Sequence, residues 1–127
     1  MFAIHGYDNR FVFVHPTVKI YPSVVLSTEY GGEIMVGKNS ELLNGVLIMT
    51  YGGKISIGES CSINPYTVLY GHGGLSIGNN VLIAGHCLII PANHIFSDTS
   101  ITINNQGLTK KGIVIEDDVW IGAGCRI

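Results

Sequence analysis

The sequence predicts an all-β fold, a three-sided coil of short parallel strands. Three observations predict it. An aliphatic residue opens a six-residue unit at fifteen places. The residues beyond that period all fall at one point, after every third hexad. The positions between the aliphatic ones carry Gly, Asn, Pro and charge, which turns require.

The hexads open on Val14, Ile20 and Leu26; Val36, Leu42 and Ile48; Ile57, Ile63 and Leu69; Ile77, Ile83 and Ile89; and Ile115, Ile121 and Ile127. All are Val, Ile or Leu, and a helical period does not fit their spacing. Successive triplets start 22, 21, 20 and 38 residues apart, which exceeds three hexads by 4, 3, 2 and 20. Two corners of each coil are therefore closed by the period, and the third grows loops.

Four residues after the hexad starts comes a second row: Val18, Val24, Ser40, Val46, Cys61, Thr67, Val81, Cys87, Val119 and Cys125. These small or β-branched side chains suit a narrow interior. Gly37, Gly58, Gly78 and Gly122 follow an opening aliphatic, where a left-handed backbone is cheapest for Gly. Pro16, Pro22, Pro65 and Pro91 each take the third place of a hexad, a corner that need not donate an N–H. Coils stacked at the ~4.8 Å strand spacing bring the aliphatic rows together. Each buried side chain is then worth roughly 1.5–3 kcal/mol. The expected organisation is one domain: an N-terminal cap over 1–13, coils over 14–94, a protruding loop over 95–112, and an incomplete final coil over 113–127.

The chain has 127 residues, seven Lys+Arg against nine Asp+Glu, and a formal charge of −2. That balance gives no electrostatic basis for nucleic acid as a partner. No run of ~20 apolar residues suggests membrane insertion. Met1–Arg10 shows no signal-peptide pattern, so a cytoplasmic location is expected. Cys61, Cys87 and Cys125 lack CxxC spacing and all fall on the inward row, so buried thiols are expected rather than disulfides or a zinc cluster.

The hexads IGESCS, IGNNVL and VWIGAGCRI, with PANHIFSD, a long loop and QGLTKKGIVIEDD between the last two, resemble the hexapeptide-repeat acyltransferases. From Tyr51 to Ile127 the similarity is to the galactoside, maltose and polysaccharide O-acetyltransferase branch. The resemblance implies a left-handed coil, a homotrimer with sites between subunits, and acetyl-CoA as the acetyl donor. It implies His94 as the catalytic base. It sets Trp120, Gly122 and Ala123 against the CoA arm, and Asn64 and Thr50 at the acceptor. Where the galactoside enzymes have an acidic residue for the acceptor, this chain has His72. Family members usually continue through more coils that hold the CoA tail.

The residues themselves support that chemistry. An alcohol is barely ionised at neutral pH, whereas an imidazole titrates near ~6.5 and can accept its proton during attack. His94 stands where the long insertion begins, and a loop this long inside a compact repeat is usually functional or disordered. An arm reaching over a neighbour is expected there. Asp98 is a candidate to orient the His94 ring, with a plain loop carboxylate as the alternative. Asn93 is a further expected acceptor contact, His72 is a candidate for one with a plain turn residue as the alternative, and Trp120 is expected to point outward.

The expected function is acetyl transfer from acetyl-CoA to a hydroxyl of a sugar or nucleotide sugar, with no metal. Three alternatives stand beside it. One is N-acetylation of an amino sugar. Another is a trimeric scaffold without activity. The third is a zinc site of the carbonic-anhydrase type, which the 14- and 8-residue spacings of His72, His86 and His94 disfavour.

Overall fold

The computed structural model describes residues 11–127 and the backbone of the strand Ala3–His5. The expected cap over 1–13 lies largely outside the described residues. The chain winds as a left-handed parallel β-helix of about four turns. Three parallel sheets of five strands each form the faces of a prism. The first face stacks Ala3–His5, Val25–Ser27, Leu47–Met49, Val68–Tyr70 and Leu88–Ile89. The second stacks Val12–Val14, Glu33–Val36, Lys54–Ile57, Leu75–Ile77 and Ile113–Ile115. The third stacks Lys19–Ile20, Glu41–Leu42, Ser62–Ile63, Leu82–Ile83 and Trp120–Ile121.

The register follows the six-residue period. Val14, Val36, Ile57, Ile77 and Ile115 are successive partners on the second face. Ile20, Leu42, Ile63, Ile83 and Ile121 are partners on the third, and Leu26, Ile48, Leu69 and Ile89 on the first. Those from Leu26 to Ile121 are buried, whereas Val14 and Ile20 are only half-buried and Ile127 is exposed. Depth thus follows place in the stack. A further inward column, Ile34, Ile55 and Leu75, sits two residues before the first hexad of its coil. The hexad count does not include it.

The second row is inward as expected, and its polar members have a specific task. Ser40 Oγ donates to the Gly58 carbonyl at 2.8 Å, and Thr67 Oγ1 to that of Ala84 at 3.0 Å. Cys61 and Cys87 thiols do the same to Gly78 and Gly122, at 3.0 and 3.1 Å. Each bond runs from one coil to the next and satisfies a corner carbonyl that the turn points inward. A buried carbonyl without such a partner costs about 1–3 kcal/mol. All three cysteines are free, but Cys125 corrects the expectation of burial. It is exposed because, among the described residues, no coil covers its Sγ.

The glycine expectation is also corrected. Left-handed angles occur two residues after these glycines, at Asn39 (60°), Ser60 (55°), Asn80 (56°) and Gly124 (71°), and at Asp118 (57°), two residues after Glu116 in the corresponding place of the last coil. There the N–H donates to the coil below: Ser60 to Lys38, Asn80 to Glu59 and Asp118 to Asn79, all at 2.9–3.0 Å. Gly37, Gly58 and Gly78 are glycine because no Cβ fits. One on Gly37 would lie 2.7 Å from the Gly58 carbonyl, and one on Gly58 2.5 Å from the Gly78 oxygen. The same corner explains Asp117. Its Oδ1 accepts from Asn79 N at 2.7 Å, as Asn79 Oδ1 accepts from Glu59 N at 2.9 Å.

The column gives a matched pair of variants. Gly58→Ala should cost about 1–3 kcal/mol, the usual range for overpacking, and lower the melting temperature. Gly122→Ala, with nothing within 4 Å of its new methyl, should change it little. Thermal denaturation followed by circular dichroism compares them; equal shifts would reject close stacking as the reason for the glycines.

Candidate functional site

The loop-bearing corner lies between the first and second faces. Three passes of the chain there share one pattern, an aromatic ring followed by two glycines: Tyr30-Gly31-Gly32, Tyr51-Gly52-Gly53 and His72-Gly73-Gly74. The rings stack. Tyr30 and Tyr51 lie 5.3 Å apart with planes 1° from parallel, and Tyr51 and His72 4.4 Å apart at 9°. Tyr70 meets both Tyr51 and His72 edge-on, at 4.9 and 5.9 Å. Beneath the rings, buried Thr50 donates its hydroxyl to the carbonyls of Ser27 and Gly31. Gly71 sits over Thr50 so closely that a Cβ would lie 2.7 Å from the Thr50 oxygen.

The fourth pass departs from the pattern. It reads Ala92-Asn93-His94, then leaves the prism as a long arm. The arm is a folded hairpin rather than a simple extended strap. Asn93–His94 pairs antiparallel with Leu108–Thr109, and Ile95 N donates to Gly107 O at 3.0 Å. Its tip holds one helical turn, Ile103–Gln106. Gln106 ties the tip together, donating to the carbonyls of Asp98 and Ile101 at 2.7 and 3.0 Å. At its foot, Ile113 N donates to Gly74 O at 3.0 Å.

Two clefts meet at His94. One, of about 360 Å³, is floored by His72 and Tyr51 and walled by Tyr70, Ala92, His94 and Leu108. The other, of about 500 Å³, runs along the arm past Ile95, Phe96 and Thr109. His94 is exposed and belongs to both, and so does Asn93. The His72 Nδ1 is sealed from solvent with no hydrogen-bond partner among the described residues. Burial holds this imidazole below its ordinary range, and nearby Lys110 adds to the effect. Burial and Tyr70 raise the Tyr51 phenol above its usual value.

The structure thus brings His94, Asn93 and His72 together. It does not bring the other expected residues to them within one chain. Thr50 is enclosed, its hydroxyl committed to backbone, and it lines neither cleft. Asp98 is directed elsewhere: its Oδ1 accepts from Ser100 N at 2.9 Å and Ser100 Oγ at 2.6 Å, and these bonds hold its carboxyl below the usual carboxylate range. No hydrogen bond from the His94 ring to Asp98 stands among the bonds of the described residues, and Oδ1 is committed to Ser100. Asn64 lies at another corner, its amide donating to the Ile83 carbonyl at 2.9 Å. Trp120 and Gly122 follow the third face, where the Trp120 side chain stands 74% exposed, and Ala123 is exposed beside them. His86 stacks on Tyr66 at 5.6 Å, at the corner between third and first faces. Among the described residues no cluster of His, Cys, Asp or Glu is arranged to hold a metal ion.

Sequence reasoning missed Tyr51, Tyr70 and Ala92 as cleft residues. The signal was present in the repeated aromatic-Gly-Gly triplet and its interruption at Ala92.

No family model and no curated protein matches this chain. Solved structures do. A hexapeptide transferase family protein from Anaplasma phagocytophilum superposes with a TM-score of 0.64 at 15% identity, covering 99% of this chain and 69% of that one. AntD, an N-acyltransferase from Bacillus cereus in complex with dTDP and 3-hydroxybutyryl-CoA, gives 0.60 at 20% identity, covering 91% of this chain and 58% of that one. A variant of AntD bound to dTDP-4-amino-4,6-dideoxyglucose and coenzyme A gives 0.60 at 19%, covering 98% and 62%. The chain therefore spans about 58–69% of the length of these structures. At these identities the likeness is one of fold: the protein has the β-helix on which those transferases are built.

Proposed function

We propose that the protein is an acyl-CoA-dependent acyltransferase that moves an acetyl group to a sugar hydroxyl, with His94 as general base. One observation carries this reading: a single exposed imidazole shared by two clefts, the arrangement a two-substrate transfer needs. The acceptor occupies the cleft over His72, and the thioester reaches His94 along the arm. His94 takes the hydroxyl proton as the oxygen attacks the thioester carbonyl. The carbon–sulfur bond then breaks, and the same proton passes to the departing thiolate. Acetyl has moved from sulfur to oxygen and one proton from oxygen to sulfur. Backbone N–H groups at the corner are the available donors for charge developing on the carbonyl oxygen.

The donor reading rests on the fold likeness to proteins crystallised with CoA and acyl-CoA, and on the outward Trp120, Gly122 and Ala123. Those residues fit a ligand held outside the prism, since Trp120 is 74% exposed and nothing stands within 4 Å of a Cβ on Gly122. They lie on the third face, away from His94. The reading therefore includes a homotrimer, in which a neighbour's third face and its Asn64 would complete the site. A cytoplasmic location suits a CoA thioester. Among the described residues no helix is long and apolar enough to cross a membrane.

The AntD complex with an amino sugar favours N-transfer as a second reading. His94 in the acceptor cleft can take a proton from a hydroxyl, which needs a base to attack, and this supports the O-transfer reading.

Two measurements test the reading. His94→Ala should lower thiol release from acetyl-CoA by about 10²–10⁴-fold with an unchanged melting temperature; retained turnover would remove His94 as the base. The pH dependence of stability reports on His72. Above about pH 6.5 this group is neutral in both folded and unfolded chains and adds no slope. Below that, the unfolded chain takes up a proton that the folded cleft resists, so stability falls until the lowered folded value is passed. His72→Phe should remove that decline from melting temperatures taken across about pH 5–8. An identical decline in the variant would show that His72 is not the group responsible.

A further inference from the structure

We infer that the acceptor binds as the fourth ring of the corner stack, a pyranose lying face-down on His72 in the place that Ala92 leaves empty. The inference rests on the acyltransferase reading for its orientation toward His94, and on the stack for the rest.

The last two rings of the stack and Ala92 share one address, while Tyr30 stands one residue further along, four after Leu26. The third residue after the inward aliphatic of the first face is Tyr51 after Ile48, His72 after Leu69 and Ala92 after Ile89. The strands carrying them are paired in register, Leu69 with Ile48 and with Ile89. The column of rings Tyr30, Tyr51, His72 is thus interrupted at the fourth pass by a methyl group. In the same pass the two glycines become Asn93 and His94. The coil that loses its ring is the coil that gains the imidazole. The cleft of about 360 Å³ is the volume vacated, with His72 as floor and Ala92 and His94 as walls.

The occupant follows from that geometry. The floor is an uncharged ring, held flat by Tyr51 at 4.4 Å and by the edge of Tyr70 at 5.9 Å. Such a floor takes a flat group with an apolar face. A pyranose presents axial C–H groups on its face and hydroxyls at its rim, so one seated on His72 turns hydroxyls toward His94 and Asn93. A nucleobase in the same place would offer stacking but no hydroxyl to His94. A cleft near the small end of ligand sites holds one ring, so it would also displace the sugar. The lining includes no carboxylate, which suits an uncharged ring.

Methyl β-D-glucopyranoside, methyl β-D-galactopyranoside and thymidine are suitable probes, used with the full chain. Ligand-observed NMR should show saturation transfer to pyranoside C–H protons of one face, with upfield shifts from the imidazole, and none to thymidine. Ala92→Tyr continues the column and fills the cleft. It should keep or raise the melting temperature while abolishing pyranoside contact. His72→Ala should weaken that contact and raise KM for the pyranoside by about tenfold, the size of a lost ring contact, whereas His72→Phe should restore both. If Ala92→Tyr is unstable, the His72 pair decides alone.

Thymidine in place of the pyranoside, unchanged pyranoside binding in Ala92→Tyr, or no difference between Ala and Phe at position 72 would each overturn the inference. The two readings fail separately. Pyranoside contact without thiol release would reject acyl transfer and keep the ring seat. Turnover of pyranosides that is unaffected by His72→Ala would do the reverse.

Discussion

Everything in this protein depends on coils resting on one another at strand spacing. A residue's nearest neighbour is the residue one coil away, not the next in sequence. Ile57 touches the fold through Val36 and Ile77, and Gly58 is glycine because the Gly78 carbonyl lies where its side chain would go. At ~4.8 Å between strands there is room for like on like, and little else. That is why the aliphatic columns are nearly uniform, and why the outermost members, Val14, Ile20 and Ile127, are the least buried.

The same spacing sets the polar interior. Turns at the corners direct carbonyls inward, among closely packed aliphatic side chains. Ser40, Cys61, Thr67 and Cys87 meet them, each from one coil below. A hydroxyl or thiol on a short stem reaches the carbonyl without opening the strands. Cys61 and Cys87 thus act as hydrogen-bond donors within the stack. Cys125 occupies the same address with no described coil above it, and its exposure follows from that alone.

Function collects at the corner released from the period. Two corners of each coil are held by hexads, and residues there are constrained by the coils above and below. The third varies in length, and variation there costs the prism nothing. It carries first a ladder of rings and glycines, then an opening where the ladder stops, then the arm. Chemistry is placed on a rigid support because the ring stack is structural for three coils before it becomes the floor of a cleft.

Much of this was legible in the sequence. Period six identified the inward aliphatic row, and the remainders after eighteen identified the loop-bearing corner, because both are properties of spacing along the chain. His94 at the start of the insertion followed from the same count. Side-chain commitments were not legible. The resemblance implies Thr50 at the acceptor and the sequence offers Asp98 beside His94, yet one is bound to backbone beneath the rings and the other to Ser100. The glycines after the hexad starts suit a left-handed backbone by sequence alone, but at Gly37, Gly58 and Gly78 contact with the next coil decides the residue. His72 could not be distinguished from a turn residue until Tyr51 and Tyr70 were seen against it. The sequence by itself determined the coil, its three faces and the corner that grows. Only the tertiary structure decided which side chains share a cleft, because partners about twenty residues apart meet only once the coils are stacked.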